Sequence, residues 1–500
     1  MLAVPERCGS GRPAARTTGN YRFASLFEPL LVRVNAPTFA NPWFLEMGED
    51  IMSDQNQQEV TPQLNKDRTN RRSFMKKSSL LVAGGAIASQ LPLARSAHAF
   101  GSDVIKIGLV GCGGRGTGAA AQAMNTDGAT KLIAVADCFE DAATQAVRGL
   151  KASHGAKVDV PQERQFVGLD AYKGVLDSDA DIVILATSPG WRPLHFEAAV
   201  EAGKQIFAEK PVAVDPAGVR RFLAANKKAK EKNLAVGVGL QRHHEKRYIE
   251  TIKRLQDGAI GDTILCRAYW NGAGVWTRPR QKNQTELQYQ MRNWYYFNWL
   301  SGDHIVEQHI HNLDVINWLK NGYPVSAQGQ GGRQVRTSKE HGEIYDHHFV
   351  EFTYADGTKL LSQCRHIPSC WDAVSEHAHG TKGYCDIGGA RIVDAAGDTV
   401  WSYGRGGADG HQEEHHDLFA QLRKGERPNE GDNGAYSTMT AIFGRMATYS
   451  GQMISWDDAL NSEVVISPVD QIKSWDDTPP VTPNENMEYA IPMPGLTRVV

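Results

Sequence analysis

Three glycines and one acid carry the first recognisable chemistry in this chain. Gly111, Gly113 and Gly116 stand as G-x-G-x-x-G within VIKIGLVGCGGRG. The first glycine of such a run permits a tight turn, the second lets the backbone approach a pyrophosphate, and the third allows close helix packing. Gly114 and Arg115 complete the loop. The helix expected from near Thr117 would aim its N-terminal amides at phosphate oxygens. Asp137 ends the apolar run KLIAVAD, roughly 20 residues further on. An acid there accepts both ribose hydroxyls of NAD and repels a 2′-phosphate. Cys138 and Phe139 follow it, not an arginine. The pattern points to a dinucleotide site for NAD rather than NADP.

Such residues need a parallel sheet to position them. Val104 to Val110 suits a buried parallel strand, and KLIAVAD a second. DADIVILATSP, KQIFAEKP and LAVGVGLQRHH read as further strands. They alternate with helices in WRPLHFEAAVEAG and DPAGVRRFLAANKKAKEKN. Ligands of such sheets lie beyond the carboxyl ends of the strands. Asp137, Thr187, Lys210 and Gln241-Arg242-His243 all fall at strand ends and are expected to converge there.

The second half has a different rhythm. FVEFTYADGTKLLSQCRHI reads as a hairpin turning at Asp356-Gly357, and GYCDIGGARIVDAAGDTVWSYG as more short strands. EEHHDLFAQLRKGERP and AYSTMTAIFGRMATYSGQ read as helices, the second preceded by Asp432-Asn433-Gly434.

The 500 residues are 41% hydrophobic and 22% charged, an ordinary globular composition with ample material for a core. A net charge of -3 gives no reason to invoke nucleic acid or an anionic membrane surface. Arg71-Arg72-Ser73-Phe74-Met75-Lys76 matches a twin-arginine export pattern. The stretch from Ser78 to Leu93 is too short and too weakly apolar for a span of roughly 20 residues. Ala97-His98-Ala99 offers a cleavage site before Phe100. The expectation is a periplasmic or otherwise exported protein with no membrane span in its mature form. Met52 would give a conventional leader, so the residues before it read as a mis-assigned start or an extension. Of seven cysteines, Cys8 lies in that part, and the other six have no C-x-x-C spacing. Export after folding in a reducing cytoplasm predicts no disulfide framework; Cys364 and Cys370 are the one close pair. His309/His311, His347-His348 and His415-His416 are tempting as ligands, yet no H-E-x-x-H occurs, and no catalytic metal is expected.

The glycine loop, Asp137, ATSP, FEAAVEAGKQIFAEKPVAVD, LQDGAIGD and HNLDVINWLKNG together resemble the Gfo/Idh/MocA oxidoreductase family, over most of the chain from Val104 to about Leu460. The resemblance implies an α/β protein: an N-terminal Rossmann domain with a doubly wound parallel sheet, then a C-terminal α/β domain with a large open, mostly antiparallel sheet. The corresponding division is 1–99 for extension and signal, 100–236 for the NAD-binding domain, 237–465 for the substrate and oligomerisation domain, and 466–500 for a tail. It also implies a homo-oligomer and a small carbohydrate-type substrate. The lysine of Glu209-Lys210-Pro211 lies beside the reacting carbon in the family, which makes Lys210 a catalytic candidate and suggests a cis bond to Pro211. Glu209, Thr187 and Lys210 itself join the cofactor-binding candidates. Partial desolvation beside a positive nicotinamide ring would lower the lysine's pKa.

The family's Asp-x-x-x-His element aligns on HNLD, with His311 as the histidine and Asp314 as its downstream partner. Glu307 then stands where the family has aspartate, one methylene longer. Spaced by four, Glu307 and His311 would share a helix face. His311 is the general acid/base candidate, with Glu307 as its partner or as a ligand of a sugar hydroxyl. Trp276, Arg278, Arg292, Asn293, Trp294 and Tyr295 are either substrate contacts or an aromatic core or interface.

Two activities fit a protein that carries NAD out of the cytoplasm. One is oxidoreduction of a hydroxyl on a sugar, polyol or sugar derivative. The other is a redox-neutral, NAD-dependent glycosidase working by oxidation, elimination and reduction. A non-catalytic carbohydrate-binding protein is the third alternative.

Overall fold

The computed structural model describes residues 104–404 and 406–500. The twin-arginine pattern, the cleavage site and the preceding extension lie outside them. Strands β1 (Ile105–Val110), β2 (Thr130–Asp137), β3 (Gln165–Val167), β4 (Ile182–Leu185), β5 (Gln205–Ala208) and β6 (Val236–Val238) form one sheet in the order β3-β2-β1-β4-β5-β6. Every pair in it is parallel. This is the doubly wound dinucleotide-binding order. β4 and β5 are buried at every position because helices cover both faces of the sheet, which is why they read as unbroken apolar runs.

One face packs on Gly114–Met124 and Glu140–His154, the other on Arg192–Glu201 and Pro216–Glu231. The first helix begins at Gly114, a turn before the expected start near Thr117, with Gly113 as its N-cap. Helix Gly410–Arg423 returns from the second half of the chain to the first face. Its Leu418, Phe419 and Leu422 join Ile107, Leu109 and Ala119 in one apolar cluster.

The second sheet has nine strands. β7 (Thr263–Gly272), β8 (Ser326–Gly332), β9 (His347–Thr353), β10 (Lys359–His366), β11 (Ala373–Gly380), β12 (Gly383–Asp386), β13 (Arg391–Asp394), β14 (Thr399–Ser402) and β15 (Ile454–Ser455) lie in the order β14-β13-β12-β11-β7-β10-β9-β8-β15. Only β7 and β10 pair in parallel; the other pairs are antiparallel. The Asp356-Gly357 turn joins β9 to β10 as expected, with Gly357 at φ 85°. Alternation along β9 sends His348, Val350 and Phe352 inward and Phe349 outward. The inner face packs on Ile310–Lys320 and Gly431–Ser450.

Gly431–Ser450 starts earlier than its sequence suggested and takes in Asp432, Asn433 and Gly434. Gly434 is a packing residue, not a stop: a Cβ there would come within 2.8 Å of Val238 Cγ1. Residues 466–500 contain only one short 3-10 turn, Val469–Gln471, yet are tied down along their length. Asp215 Oδ2 accepts from the Ile466 and Ser467 N–H groups at 2.9 and 3.1 Å, and the Ser450 carbonyl accepts from Gly495 N–H at 2.7 Å. All six described cysteines are free. Among the described residues no helix is long and apolar enough to cross a membrane.

Candidate active site

A cleft of about 1150 Å³ opens over the carboxyl ends of β1, β2 and β4. Gly111, Gly113, Gly114, Arg115 and Gly116 line it, with Asp137 and Thr187. Two of these glycines are demanded by geometry. Gly111 has φ 97°, and a Cβ on it would lie 2.6 Å from Thr187 N. A Cβ on Gly116 would lie 1.9 Å from the Gly111 carbonyl oxygen. Above Gly113 and Gly114 there is nothing within 4 Å of such an atom, which leaves the space a pyrophosphate needs at the start of a helix.

Asp137 is held at the edge of this space. Its Oδ2 accepts from Cys112 N–H at 2.7 Å and its Oδ1 from Phe139 N–H at 2.9 Å. Burial pushes its carboxyl up, and the two N–H groups pull it back toward the charged form. Thr187 Oγ1 lies 3.1 Å from His195 Nδ1. Glycine cradle and acid suit a dinucleotide: room for phosphates in the middle and an acceptor for ribose at one side.

Arg115 behaves differently from a free phosphate ligand. Its guanidinium pairs with Glu209, reaches Gln122 Oε1 at 2.9 Å and lies 3.5 Å from Glu414 Oε1. Glu209 is thus buried beneath the glycine loop rather than on the wall of the cleft. Glu414 was missed in the sequence. It stands four residues before Leu418 and eight before Leu422, on the apolar stripe of its helix, and an acid there is the signal that could have found it. Burial, and then the negative charge of Glu209, push its carboxyl well up.

At the end of β5, Lys210 Nζ donates to the Glu307 carbonyl at 2.5 Å and to Glu307 Oε1 at 3.0 Å. The Lys210-Pro211 peptide is cis. His311 is buried nearby, its ring 6.0 Å from that of Trp270 and its Nδ1 without a partner. Burial, and then the Lys210 charge, hold the imidazole well below its usual pKa, so it is neutral. The three candidates come together, though not as a shared helix face. The helix is interrupted: His304–Glu307 ends at Gln308, whose φ of -110° breaks the run, and Ile310–Lys320 begins anew. Lys210 bonds Glu307 directly, and its charge acts on His311. His309 turns away, its Nε2 on Ser362 Oγ at 2.8 Å.

Asp314 is not the partner of His311. It pairs with His243 Nε2 at 2.8 Å and accepts from Asn433 and Ser437. The strand-end run is also split. Arg242 turns inward to the buried Glu376, which Tyr248 and Asn312 also bond. Of the aromatic and arginine-rich stretch, Trp276, Arg278, Arg292 and Trp294 line the cleft. Asn293 is structural, bonding the Glu340 carbonyl at 2.6 Å. Tyr295 is buried with its hydroxyl unpartnered.

Asp303, His304 and His348 place three potential ligand atoms within 4.8 Å of one another. The carboxylate is already occupied. Oδ1 accepts from the His304 backbone and ring, and Oδ2 from Tyr345 N–H and the Tyr449 hydroxyl. The cluster is a buried hydrogen-bond hub centred on the Asp303 carboxylate.

A second ionic pair gives a stability prediction. His244 lies 2.7 Å from Asp417 Oδ2 and 3.2 Å from Glu430 Oε1. Burial opposes its charge, but Glu430 and then Asp417 win and raise it to about 9. A folded-state pKa above the unfolded value stabilises fully below the unfolded pKa, and the gain disappears as pH rises through about 9. Urea unfolding between about pH 6 and pH 9.5 should show a loss on the order of 2 kcal/mol that His244→Gln flattens. Identical profiles for the two proteins would refute this assignment.

Residues 105–239 match the model described as an oxidoreductase family with an NAD-binding Rossmann fold, and residues 248–385 match the GFO/IDH/MocA C-terminal domain. Inositol 2-dehydrogenase of Klebsiella pneumoniae (strain 342) is 30% identical over 259 residues, 51% of this chain and 66% of that protein. Inositol 2-dehydrogenase of Rhizobium meliloti (strain 1021) is 27% identical over 280 residues, 56% of this chain and 74% of that one. Among solved structures, scyllo-inositol dehydrogenase from Lactobacillus casei with bound NAD(H) and scyllo-inositol superposes with a TM-score of 0.54 at 18% identity, over 71% of this chain and 100% of that one. A levoglucosan dehydrogenase complexed with NADH and levoglucosan gives 0.55 at 15%, over 71% and 99%. The two matched domains together span more than half of the 500 residues, and the chain belongs to the Gfo/Idh/MocA oxidoreductase family, with an NAD-binding Rossmann domain.

Proposed function

We propose that this protein is an NAD-dependent oxidoreductase acting on a hydroxyl of a sugar, polyol or sugar derivative. One observation supports the reading: Lys210, at the end of β5, pairs with Glu307 and acts through its charge on a buried, neutral His311, one strand beyond the Thr187 edge of a cleft that suits a dinucleotide. The sheet order explains the side. The glycine loop follows β1, Asp137 ends β2 on one flank, and Thr187 and Lys210 follow β4 and β5 on the other. With adenosine ribose on Asp137, the nicotinamide half would extend toward Lys210.

NAD supplies the hydride acceptor. The chain's own residues manage the proton. Lys210, held by Glu307, is placed to donate a hydrogen bond to a substrate oxygen. His311, held neutral by burial and by the Lys210 charge, is the candidate to take the hydroxyl proton. Glu307 fixes the direction of Lys210, which gives the longer acid a defined role in place of aspartate. The names of the inositol and levoglucosan dehydrogenases support a polyol or sugar as substrate.

We further propose export by the twin-arginine route, on the strength of Arg71-Arg72-Ser73-Phe74-Met75-Lys76, with NAD carried out already bound. Assembly of identical chains is supported by the outer face of the nine-stranded sheet, where Phe349 of β9 is 38% exposed. The test of activity is a panel of inositols, aldoses and alkyl glycosides, followed by NADH absorbance and by release of the aglycone. NADH formed without cleavage supports oxidoreduction. Cleavage without net NADH would replace it by the redox-neutral glycosidase. Neither signal, with NAD bound, would overturn both.

A further inference from the structure

Beside the Asp137 end of the cleft lies a part of the chain beyond both matched domains, which end at residue 385. The place of adenine follows from topology. Phosphates would sit over the loop after β1 and ribose on Asp137 at the end of β2, so adenine would continue toward β3, the next strand in the sheet. There Phe139, two residues beyond Asp137, presents its ring. The Arg292 guanidinium lies 3.7 Å from its centroid, and the Trp475 ring stacks on it at 5.2 Å and 21°.

Arg292 is fixed by a bidentate pair with Asp141, at 2.6 and 2.8 Å, and it lines the cleft together with Phe139. Trp475 does not line that cleft. It borders an adjoining recess of about 450 Å³ with Gly168, Leu169 and Ala171 of the loop after β3, residues shared by both spaces. A planar guanidinium over an aromatic ring is a natural surface for a purine to stack on.

The segment carrying Trp475 is anchored on both sides of the cleft. On the Rossmann side Asp470 pairs with Arg221 at 2.7 Å. On the other side the Val481 carbonyl accepts from Gln290 at 2.7 Å, and the Tyr489 hydroxyl donates to Glu286 at 2.5 Å. Gln290 and Glu286 belong to Glu286–Arg292, the helix that ends in Arg292. Lys473 and Ser474 N–H groups both donate to Asp477 Oδ2, which sets the turn that points Trp475 at Phe139.

We propose that residues 466–489 form a strap that completes the adenine subsite: Trp475 braces Phe139 and Arg292 against the adenine, and slows release of the dinucleotide. Trp475 is a positioning residue, since it acts through Phe139. The inference rests on the NAD-binding role of the cleft and would suit a cofactor retained through repeated turnovers.

The experiment uses the full-length mature protein and two reduced cofactors, NADH and its truncated form NMNH, which lacks the adenosine half. Trp475→Ala should speed NADH release about tenfold, as expected for loss of one aromatic stack, and leave NMNH affinity unchanged. Trp475→Phe should restore most of the difference. Unchanged NADH release in Trp475→Ala would overturn the strap's role. Parallel weakening of NADH and NMNH would also overturn it, by showing general loosening. If the wild-type protein bound NMNH but not NADH, or neither, the dinucleotide reading itself would fall first, a result separate from any effect of Trp475.

Discussion

Lys210→Met is expected to lower kcat by about 10²- to 10⁴-fold while NADH binding stays within a factor of about two, because the lysine acts on the proton of the substrate and not on the dinucleotide. The structure makes this separation specific. Lys210 Nζ has two acceptors, both on Glu307, and does not line the dinucleotide cleft. Removing it leaves Glu307 without its cation, so stability must be measured alongside. Both side chains are 14% exposed, enough for water to reach the orphaned carboxylate and keep the loss moderate. Lys210→Arg, which retains charge but not the compact ammonium, should recover stability and only a little activity. Steady-state kinetics with NADH titration by fluorescence decides the matter. A variant that keeps full kcat would remove Lys210 from the chemistry.

The second large effect belongs to Gly116→Ala. One methyl group would have to sit 1.9 Å from the Gly111 carbonyl oxygen. That oxygen cannot retreat freely. Gly111 N–H donates to the Ala136 carbonyl at 2.8 Å, and its other side presses on Ala186 and Thr187. When the obstacle is backbone rather than a flexible side chain, the cost reaches or exceeds the upper part of the overpacking range, about 3 kcal/mol. The same displacement spoils the cradle, so NADH affinity should fall at least about 100-fold, near 3 kcal/mol of binding. Gly114→Ala is the control. Its added methyl meets nothing within 4 Å, so folding should be unaffected. Urea midpoints of both variants and NADH titration of Gly116→Ala test the argument, and equal urea midpoints for Gly116→Ala and Gly114→Ala would refute it.

The sequence by itself determined the Rossmann half almost completely. Its signals are local: apolar runs where both faces are covered, glycines where backbone meets backbone, and Asp137 at the end of the second strand. Gly111, Gly116 and Asp137 stand where that reading put them, because each answers to neighbours that the motif itself supplies. The hairpin at Asp356-Gly357 was equally legible, since a turn needs only its own residues.

Tertiary structure decided the rest. Glu307 and His311 meet through Lys210, more than ninety residues away, across an interruption at Gln308 that four-residue spacing could not reveal. Asp314 went to His243 because the next helix offered Asn433 and Ser437 to complete its hydrogen bonds. Gly434, read as preceding its helix, lies inside it and packs against Val238. Glu414 and Trp475 act on the cofactor side from helix and strap segments far along the chain, where nothing in their own neighbourhoods shows what they will face. A local motif fixes its own geometry, whereas a buried charge or a bracing ring takes its meaning from whichever surface folding brings against it.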